Sequence, residues 1–291
     1  MRKGKQMDHT KKVSRLAIFL AACLFCIPAA WAQEGSQPSQ QSQPPAKSQA
    51  PAKEAGAPAT QEPAAPPKID PEEEAAYKEI YDTQDPDKLI PLGEAFVQKY
   101  PSGKYTSEVY GRLVTAYLGK NELDKMYAAG DKALSLNPDN VNALVLVGWV
   151  IPHYYNPDDM DADRKLDKAE GYLKHAIVLF GTMQKPAAMT DEQFAKAKAS
   201  GLSQAHSGLG LVYFRRNDVA DSISELELAE KLATTPDPTD YYILGVDYNA
   251  EKKYSEAVDA YNKCAAQPGG LVGACKQGAS DAKKAAASQP K

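Results

Sequence analysis

Three aspartates at alternate positions could ligate a metal ion. Asp159, Asp161 and Asp163 have the spacing of the first ligands of a calcium-binding loop, and Glu170 stands where such a loop places its last ligand. The sixth position of that loop is normally glycine, but here it is Arg164, which also brings a positive charge beside the ion. We therefore interpret the acidic run as the start of a helix, where the helix dipole favours negative charge, and we expect no metal site.

The histidines give little support for catalysis. His153, His175 and His206 lie on three different segments without metal-ligand spacing. Ser207 directly follows His206, but adjacent residues of a helix point to different faces. We find neither a glycine-rich phosphate loop nor a nucleophile elbow in the sequence. We therefore expect no catalytic residues, no cofactor and no enzyme activity, since an enzyme would require a catalytic cluster.

Residues 1–32 have the pattern of an export signal. Six basic residues precede an apolar run from Leu16 to Ile27, and Ala30-Trp31-Ala32 supplies the small-x-small pattern of a cleavage site. The run of about twelve residues is well short of the roughly 20 that a bilayer core demands, so we expect no membrane span. The mature chain is expected to start at Gln33, and the protein to be exported to the bacterial periplasm.

A lipid anchor is the alternative for this end of the chain. Leu20-Ala21-Ala22-Cys23 resembles the box at which bacterial lipoproteins are cut and acylated at cysteine. Cleavage there would leave an apolar start, Leu24 to Ile27, and would skip the site at Ala32. Mass spectrometry that finds a diacylated N-terminal Cys23 would decide in favour of this alternative.

The chain without its first 32 residues is acidic and begins with a polar segment. Removal of six basic residues and one acidic residue lowers the formal net charge from −4 to −9, and we find no basic stripe for phosphate backbones, so nucleic acid is not an expected partner. Residues 33–69 are rich in Pro, Gln, Ser and Ala and cannot bury much apolar surface, so we predict a disordered linker. It serves either as a tether that holds the folded part away from a wall or membrane, or as a passive spacer.

The remaining residues, 71–287, carry an internal repeat that predicts pairs of helices. The last copy contains Leu244, Tyr248, Tyr261 and Cys264. The same pattern occurs 131 residues earlier as Leu113, Tyr117, Gly130 and Ala133, and 35 residues earlier as Leu209, Tyr213, Leu226 and Ala229. A period near 34 residues is typical of a solenoid, in which each unit cannot bury its apolar face alone. Small residues opposite large ones let paired helices approach closely.

Local signals place the ends of several helices. Asp85 or Asp87 caps the second helix, Asn140 caps the first helix of the third pair, and Thr190 with Gln193 forms a capping box for a long helix. In the third pair, Pro152 is predicted to break the first helix, and an insertion spans 156–163. Residues 271–287 predict a final amphipathic helix that closes the last apolar face.

The spacing, and the large and small residues in it, resemble the tetratricopeptide repeat (TPR) family over roughly residues 71–287. The resemblance implies an all-α fold: a right-handed superhelical solenoid of antiparallel helix pairs, with about five repeats and a C-terminal capping helix. It also implies a scaffold that binds a protein or peptide partner.

In this family, positions two, five, nine and twelve of each first helix line a concave groove that holds the partner. The corresponding residues here are Asn142, Val145 and Trp149 in repeat three, Gln204, Ser207, Leu211 and Phe214 in repeat four, and Thr239, Tyr242, Val246 and Asn249 in repeat five. Exposed aromatic side chains among them would suit an anchor-and-pocket interface. The alternative is that Trp149 and Phe214 pack beneath the long helix of repeat four.

The resemblance also bears on the kind of partner. Members that bind chaperones grip a terminal carboxylate with Lys and Asn at positions five and nine. Here these positions hold Val145 and Trp149 in repeat three, and Ser207 and Leu211 in repeat four. Capture of a terminal carboxylate is therefore disfavoured, and an apolar or extended segment is expected.

Two cysteines remain in the repeat region. Position 264 is normally a small buried residue in the motif, and Cys275 lies on the helix expected to cap the last repeat. An exported chain that keeps two such cysteines indicates a disulfide between Cys264 and Cys275, whereas two reduced thiols are the alternative.

Together these patterns predict a non-catalytic exported scaffold that binds a partner protein through the TPR groove during assembly or organisation of the cell envelope. The alternative is a subunit, lipid-anchored at Cys23, of an outer-membrane assembly or of a pilus or secretin machine.

Overall fold

A computed structural model describes residues 70–187 and 189–288, which form eleven α-helices and no β-strand. The helices are α1 (Pro71–Asp82), α2 (Pro86–Lys99), α3 (Thr106–Gly119), α4 (Leu123–Leu136), α5 (Val141–His153), α6 (Ala162–Thr182), α7 (Asp191–Arg215), α8 (Val219–Leu232), α9 (Pro238–Ala250), α10 (Tyr254–Ala266) and α11 (Val272–Ala287). The all-α prediction is confirmed for these residues. The predicted export signal at 1–32, Cys23 and all of the predicted linker at 33–69 lie outside them.

Helices that follow one another in the sequence pack against each other in pairs. α3 packs on α4, α5 on α6, α7 on α8 and α9 on α10, and α11 packs on α10. The first helix of each pair also contacts the first helix of the next, so that α3, α5, α7 and α9 form a continuous series. Each pair therefore buries one apolar face inside itself and another against its neighbours.

Three of the connections within pairs have the same backbone turn. Asn121, Asn217 and Lys252 are the non-glycine residues with positive φ in the described part of the chain, at 57°, 60° and 60°. The next residue in each turn donates its N–H to the carbonyl of the repeat tyrosine, Tyr117, Tyr213 or Tyr248, at 2.8, 2.9 and 2.8 Å. A bond that reaches back across a left-handed residue is the Schellman ending of a helix. Each connection has three residues, which reverse the chain in the same way.

Contacts of large residues with glycine hold the helices close together. A Cβ atom at Gly245 or at Gly278 would lie 2.6 Å from the ring of Tyr261, which fills the space between them. A Cβ atom at Gly130 would lie 2.5 Å from Cγ2 of Val147. Such distances leave no room for any side chain at these glycines, as expected where two backbones approach closely.

A tyrosine hydroxyl recurs between successive pairs. The hydroxyls of Tyr117, Tyr213 and Tyr248 donate to the carboxylates of Glu94, Glu170 and Glu227 respectively. Each bond joins the first helix of one pair to the second helix of the preceding pair. The repeat tyrosine therefore has a polar role in addition to its packing role.

The predicted helix starts are confirmed, and one predicted end differs. Asp85 and Asn140 cap α2 and α5 through their side chains, and Thr190 and Gln193 form the predicted capping box of α7. We predicted that Pro152 breaks its helix, but α5 includes Pro152 and ends at His153. The last turn survives because the N–H of Tyr154 still donates to the carbonyl of Val150 at 3.2 Å.

The end of the helical series is held by a covalent bond. Cys264 of α10 and Cys275 of α11 form a disulfide, and their Cα atoms are 5.9 Å apart. Leu271, Ala279 and Ala282 pack around it in a small apolar cluster. The bond and this cluster attach α11 to the last helix pair.

Candidate functional site

All eleven predicted groove residues lie on α5, α7 and α9, which pack side by side as the first helices of three successive pairs. Seven of them have exposed or partly exposed side chains: Asn142, Gln204, Phe214, Thr239, Tyr242, Val246 and Asn249. Four are buried: Val145, Trp149, Ser207 and Leu211. A partner could therefore contact fewer of these residues than the repeat positions predict. We call the surface formed by the seven accessible residues the inner face.

The expectation that Trp149 is an exposed anchor is wrong. Trp149 is only 7% exposed, and its Nε1 donates to Oγ of Ser207 at 3.3 Å, which joins α5 to α7. The backbones of the two helices meet here, because a Cβ atom at Gly208 would lie 3.2 Å from Cα of Trp149. The glycine brings α7 so close to α5 that the indole is covered. Packing beneath the long helix, the alternative for Trp149, is what the structure shows.

A buried polar chain continues from Trp149 to α9. Oγ of Ser207 donates to Oδ1 of Asp240 at 2.9 Å, and Asp240 is 3% exposed. Burial raises the pKa of Asp240 well above its usual range, Asp237 raises it further, and the hydrogen bond from Ser207 opposes the shift. Trp149, Ser207 and Asp240 thus connect three successive first helices. Asp240 was not among the predicted site residues, and its only signal in the sequence is that it lies with Asp247 among the apolar residues of one helical face.

The histidines are separate, and each has its own partner. His153 lies against Trp149, with ring centroids 3.8 Å apart, and its Nδ1 donates to the carbonyl of Trp149 at 2.7 Å. Burial lowers the pKa of His153 to about 4, so the ring is neutral at pH 7. His206 contacts Glu225 at 2.6 Å and His175 contacts Asp139 at 2.9 Å. The structure does not bring the three rings together.

A second feature that the sequence analysis missed lies at the C-terminal end of α7. Arg215 is partly exposed, and its Nε donates to the carbonyl of Pro152 at 3.1 Å. The guanidinium carbon lies 5.8 Å from the centroid of the Tyr155 ring and 6.0 Å from that of Phe214. Burial lowers the pKa of Arg215, but an arginine remains charged at any physiological pH. We call Arg215 with Tyr155 and Phe214 the Arg215 site.

The acidic run before α6 is neutralised by the chain itself. Nζ of Lys165 lies 2.8 Å from Oδ2 of Asp159 and 3.0 Å from Oδ1 of Asp161. Its ammonium group occupies the space between the carboxylates that a cation would need. Within residues 70–187 and 189–288, no three His, Cys, Asp or Glu side chains are grouped so that they could hold a metal ion.

Comparison with models of known protein families and with curated proteins finds no match. Across the described ranges, no helix combines the length and the apolar character that crossing a bilayer requires.

Proposed function

We propose that the protein is a non-catalytic exported scaffold of the TPR type, a right-handed superhelical solenoid that binds a partner protein through its inner face. The observation that carries the proposal is the recurrence of one three-residue turn with a left-handed residue in three helix pairs. Recurring turns of this kind support a stack of like units, and such stacks present extended surfaces to partners. We expect the binding to take part in assembly or organisation of the cell envelope.

The accessible side chains of the inner face favour an extended or apolar segment as the partner. Tyr242 and Phe214 offer aromatic surface, whereas Gln204 and Asn249 offer amide groups that pair with a peptide backbone. Aromatic rings contribute large contact areas at a small loss of conformational entropy. Because Trp149 is buried, we now assign the anchoring role to Tyr242 and Phe214.

Lipid anchoring is a second candidate, and the specific observation in its favour is Leu20-Ala21-Ala22-Cys23. In that case the protein would be a lipid-anchored subunit of an outer-membrane assembly or of a pilus or secretin machine. The repeat region would still bind its partner through the inner face. Mass spectrometry of the protein isolated from membranes separates the two candidates, because one predicts an N-terminal Gln33 and the other a diacylated Cys23.

Position-resolved crosslinking in intact cells tests the proposal. A photo-reactive amino acid replaces Gln204 or Asn249 on the inner face. In the controls it replaces Ser224 on α8 or Asp259 on α10, which are exposed on second helices. We expect one discrete crosslinked protein from both inner positions and none from the controls. Equal products from all four positions, or products from the controls alone, would contradict binding through the inner face.

A further inference from the structure

Arg215 differs from its neighbour Arg216 in how its charge is balanced. Arg216 contacts Asp167 at 2.5 Å and also pairs with Glu170. Among the described residues, no aspartate or glutamate forms an ion pair with Arg215. The protein therefore holds two consecutive arginines at the end of α7, one neutralised and one not.

The surroundings of Arg215 fix its guanidinium without neutralising it. Nε is engaged by the carbonyl of Pro152, and the rings of Tyr155 and Phe214 lie within about 6 Å of the guanidinium carbon. The two terminal nitrogens of an arginine carry four further N–H donors in a planar fork, which matches the two oxygens of a carboxylate. A side chain positioned in this way loses little conformational freedom when it binds an anion.

The acidic residue that precedes α9 is engaged by the backbone of that helix. Asp237 is the N-cap residue of α9, and its Oδ1 accepts from the N–H of Thr239 at 2.7 Å. The charges of Asp237 and Arg215 both act on His153, which is neutral, but they do not form an ion pair with each other. A partly desolvated cation without a counter-ion destabilises a fold relative to a paired one. An anionic ligand would supply the missing counter-charge, and this favours its binding.

From this geometry we propose that the Arg215 site binds the carboxylate of a glutamate or aspartate side chain in an extended segment of a partner protein. The inference rests on the proposed function, because Phe214 belongs to both the inner face and the Arg215 site. It differs from capture of a terminal carboxylate at positions five and nine, which Val145, Trp149, Ser207 and Leu211 cannot provide. An unpaired cation in an acidic chain would favour the alignment of the partner segment in which an acidic side chain of that segment reaches Arg215.

A fluorescence titration tests the inference. Trp149 is the only tryptophan of the full chain once Trp31 is replaced by Phe. Its ring lies against His153, and burial and the charge of Arg215 both lower the pKa of that histidine. The probe is a heptapeptide of alanine and proline with one central glutamate and blocked ends. The matched probe carries glutamine in place of glutamate, and inorganic phosphate serves as a third ligand. Arg215→Gln is compared with Arg216→Gln, and circular dichroism checks that both variants fold.

We expect the glutamate peptide to bind about tenfold tighter than the glutamine peptide. Arg215→Gln should abolish this preference, Arg216→Gln should leave it intact, and Arg215→Lys should reduce it, because lysine keeps the charge but loses the fork. Equal affinity of the two peptides, absence of binding by both up to millimolar concentration, or binding of phosphate alone would overturn the inference. So would equal loss of the preference in Arg215→Gln and Arg216→Gln.

The crosslinking experiment separates failure of this inference from failure of the proposed function. If the peptides bind equally but Gln204 and Asn249 still crosslink one partner, the scaffold stands and the acidic preference is wrong. If the inner positions give no product, the scaffold proposal fails whatever the peptides do. If Arg215→Gln does not fold, the preference for the glutamate peptide is compared between Arg215→Lys and Arg216→Gln.

Discussion

The pairs α3–α4, α7–α8 and α9–α10 are connected alike, whereas the pair α5–α6 is not. The first three have three-residue connections that each contain one left-handed residue. The α5–α6 connection has eight residues, Tyr154 to Asp161, and follows Pro152. Both kinds of pair bury apolar faces, α3 to α7 in one core cluster and α7 to α10 in another, so burial of an apolar face does not distinguish them.

The irregular connection supplies groups that a regular one cannot. Tyr155 lies within it and the carbonyl of Pro152 just precedes it, and both contact Arg215 from the next pair. A three-residue turn would have no residue in the place of Tyr155. The regular pairs therefore share one connection, while the interrupted pair supplies groups that contact Arg215.

The largest effect is expected from removing a large residue in a regular pair. Tyr261 fills the space between Gly245 and Gly278, so Tyr261→Ala leaves a cavity between α9, α10 and α11. We expect a loss of about 3 to 5 kcal/mol in the free energy of unfolding, measured by urea denaturation. Tyr261→Phe keeps the ring and should change stability by less than about 1 kcal/mol. If Tyr261→Ala costs no more than Tyr261→Phe, the glycine contacts do not hold the last pair.

The second effect contrasts a titrating group of the interrupted pair with one of a regular pair. Burial raises the pKa of Asp247 to about 6, although a hydrogen bond from Ser222 opposes the shift. The stability that it contributes is present below its ordinary pKa of 3.8 and is lost as the pH rises to about 6. Burial lowers the pKa of His153 from 6.5 to about 4, so its contribution is present above pH 6.5 and is lost as the pH falls to about 4.

Substitutions should therefore change the pH dependence of stability in opposite directions. As the pH rises from 4 to 6.5, the free energy of unfolding of Asp247→Asn should increase relative to that of the unsubstituted protein. The free energy of unfolding of His153→Gln should decrease relative to it over the same range. Each difference should be on the order of 2 to 3 kcal/mol across this range. Denaturation with urea at a series of pH values measures it, and Asp163→Asn, at an exposed position, is the control. Parallel curves for all variants would show that neither buried group titrates in this way.

The smallest effect concerns the regular turns themselves. Lys252 has a φ of 60°, which is unfavourable for lysine, whereas the equivalent positions are Asn121 and Asn217. Lys252→Asn should stabilise the protein by about 0.5 kcal/mol, seen as a small rise in the midpoint of thermal unfolding. Asn217→Lys is the reciprocal variant and should lower the midpoint. If both changes have the same sign, the three turns are not equivalent.

Most of the helices were predictable from the sequence, but only part of the candidate site was. The caps at Asn140 and Thr190 depend on local hydrogen bonds, and local sequence predicted them correctly. Burial of Trp149 depends on Gly208 of a helix more than 50 residues away, and the repeat pattern does not specify that contact. Arg215 was missed for the same reason, because its partners lie on the irregular connection, where the repeat gives no register.

Hydroxyl-radical footprinting of the chain, with and without the partner that crosslinking identifies, measures whether that partner covers the inner face. Tyr242 and Phe214 lie on the inner face, whereas Leu136 and Leu228 are exposed on the second helices α4 and α8, at 46% and 40%. We predict that the partner lowers the reactivity of Tyr242 and Phe214 and leaves Leu136 and Leu228 unchanged. Protection of Leu136 and Leu228, with Tyr242 and Phe214 unchanged, would show that the partner binds the second helices and not the inner face.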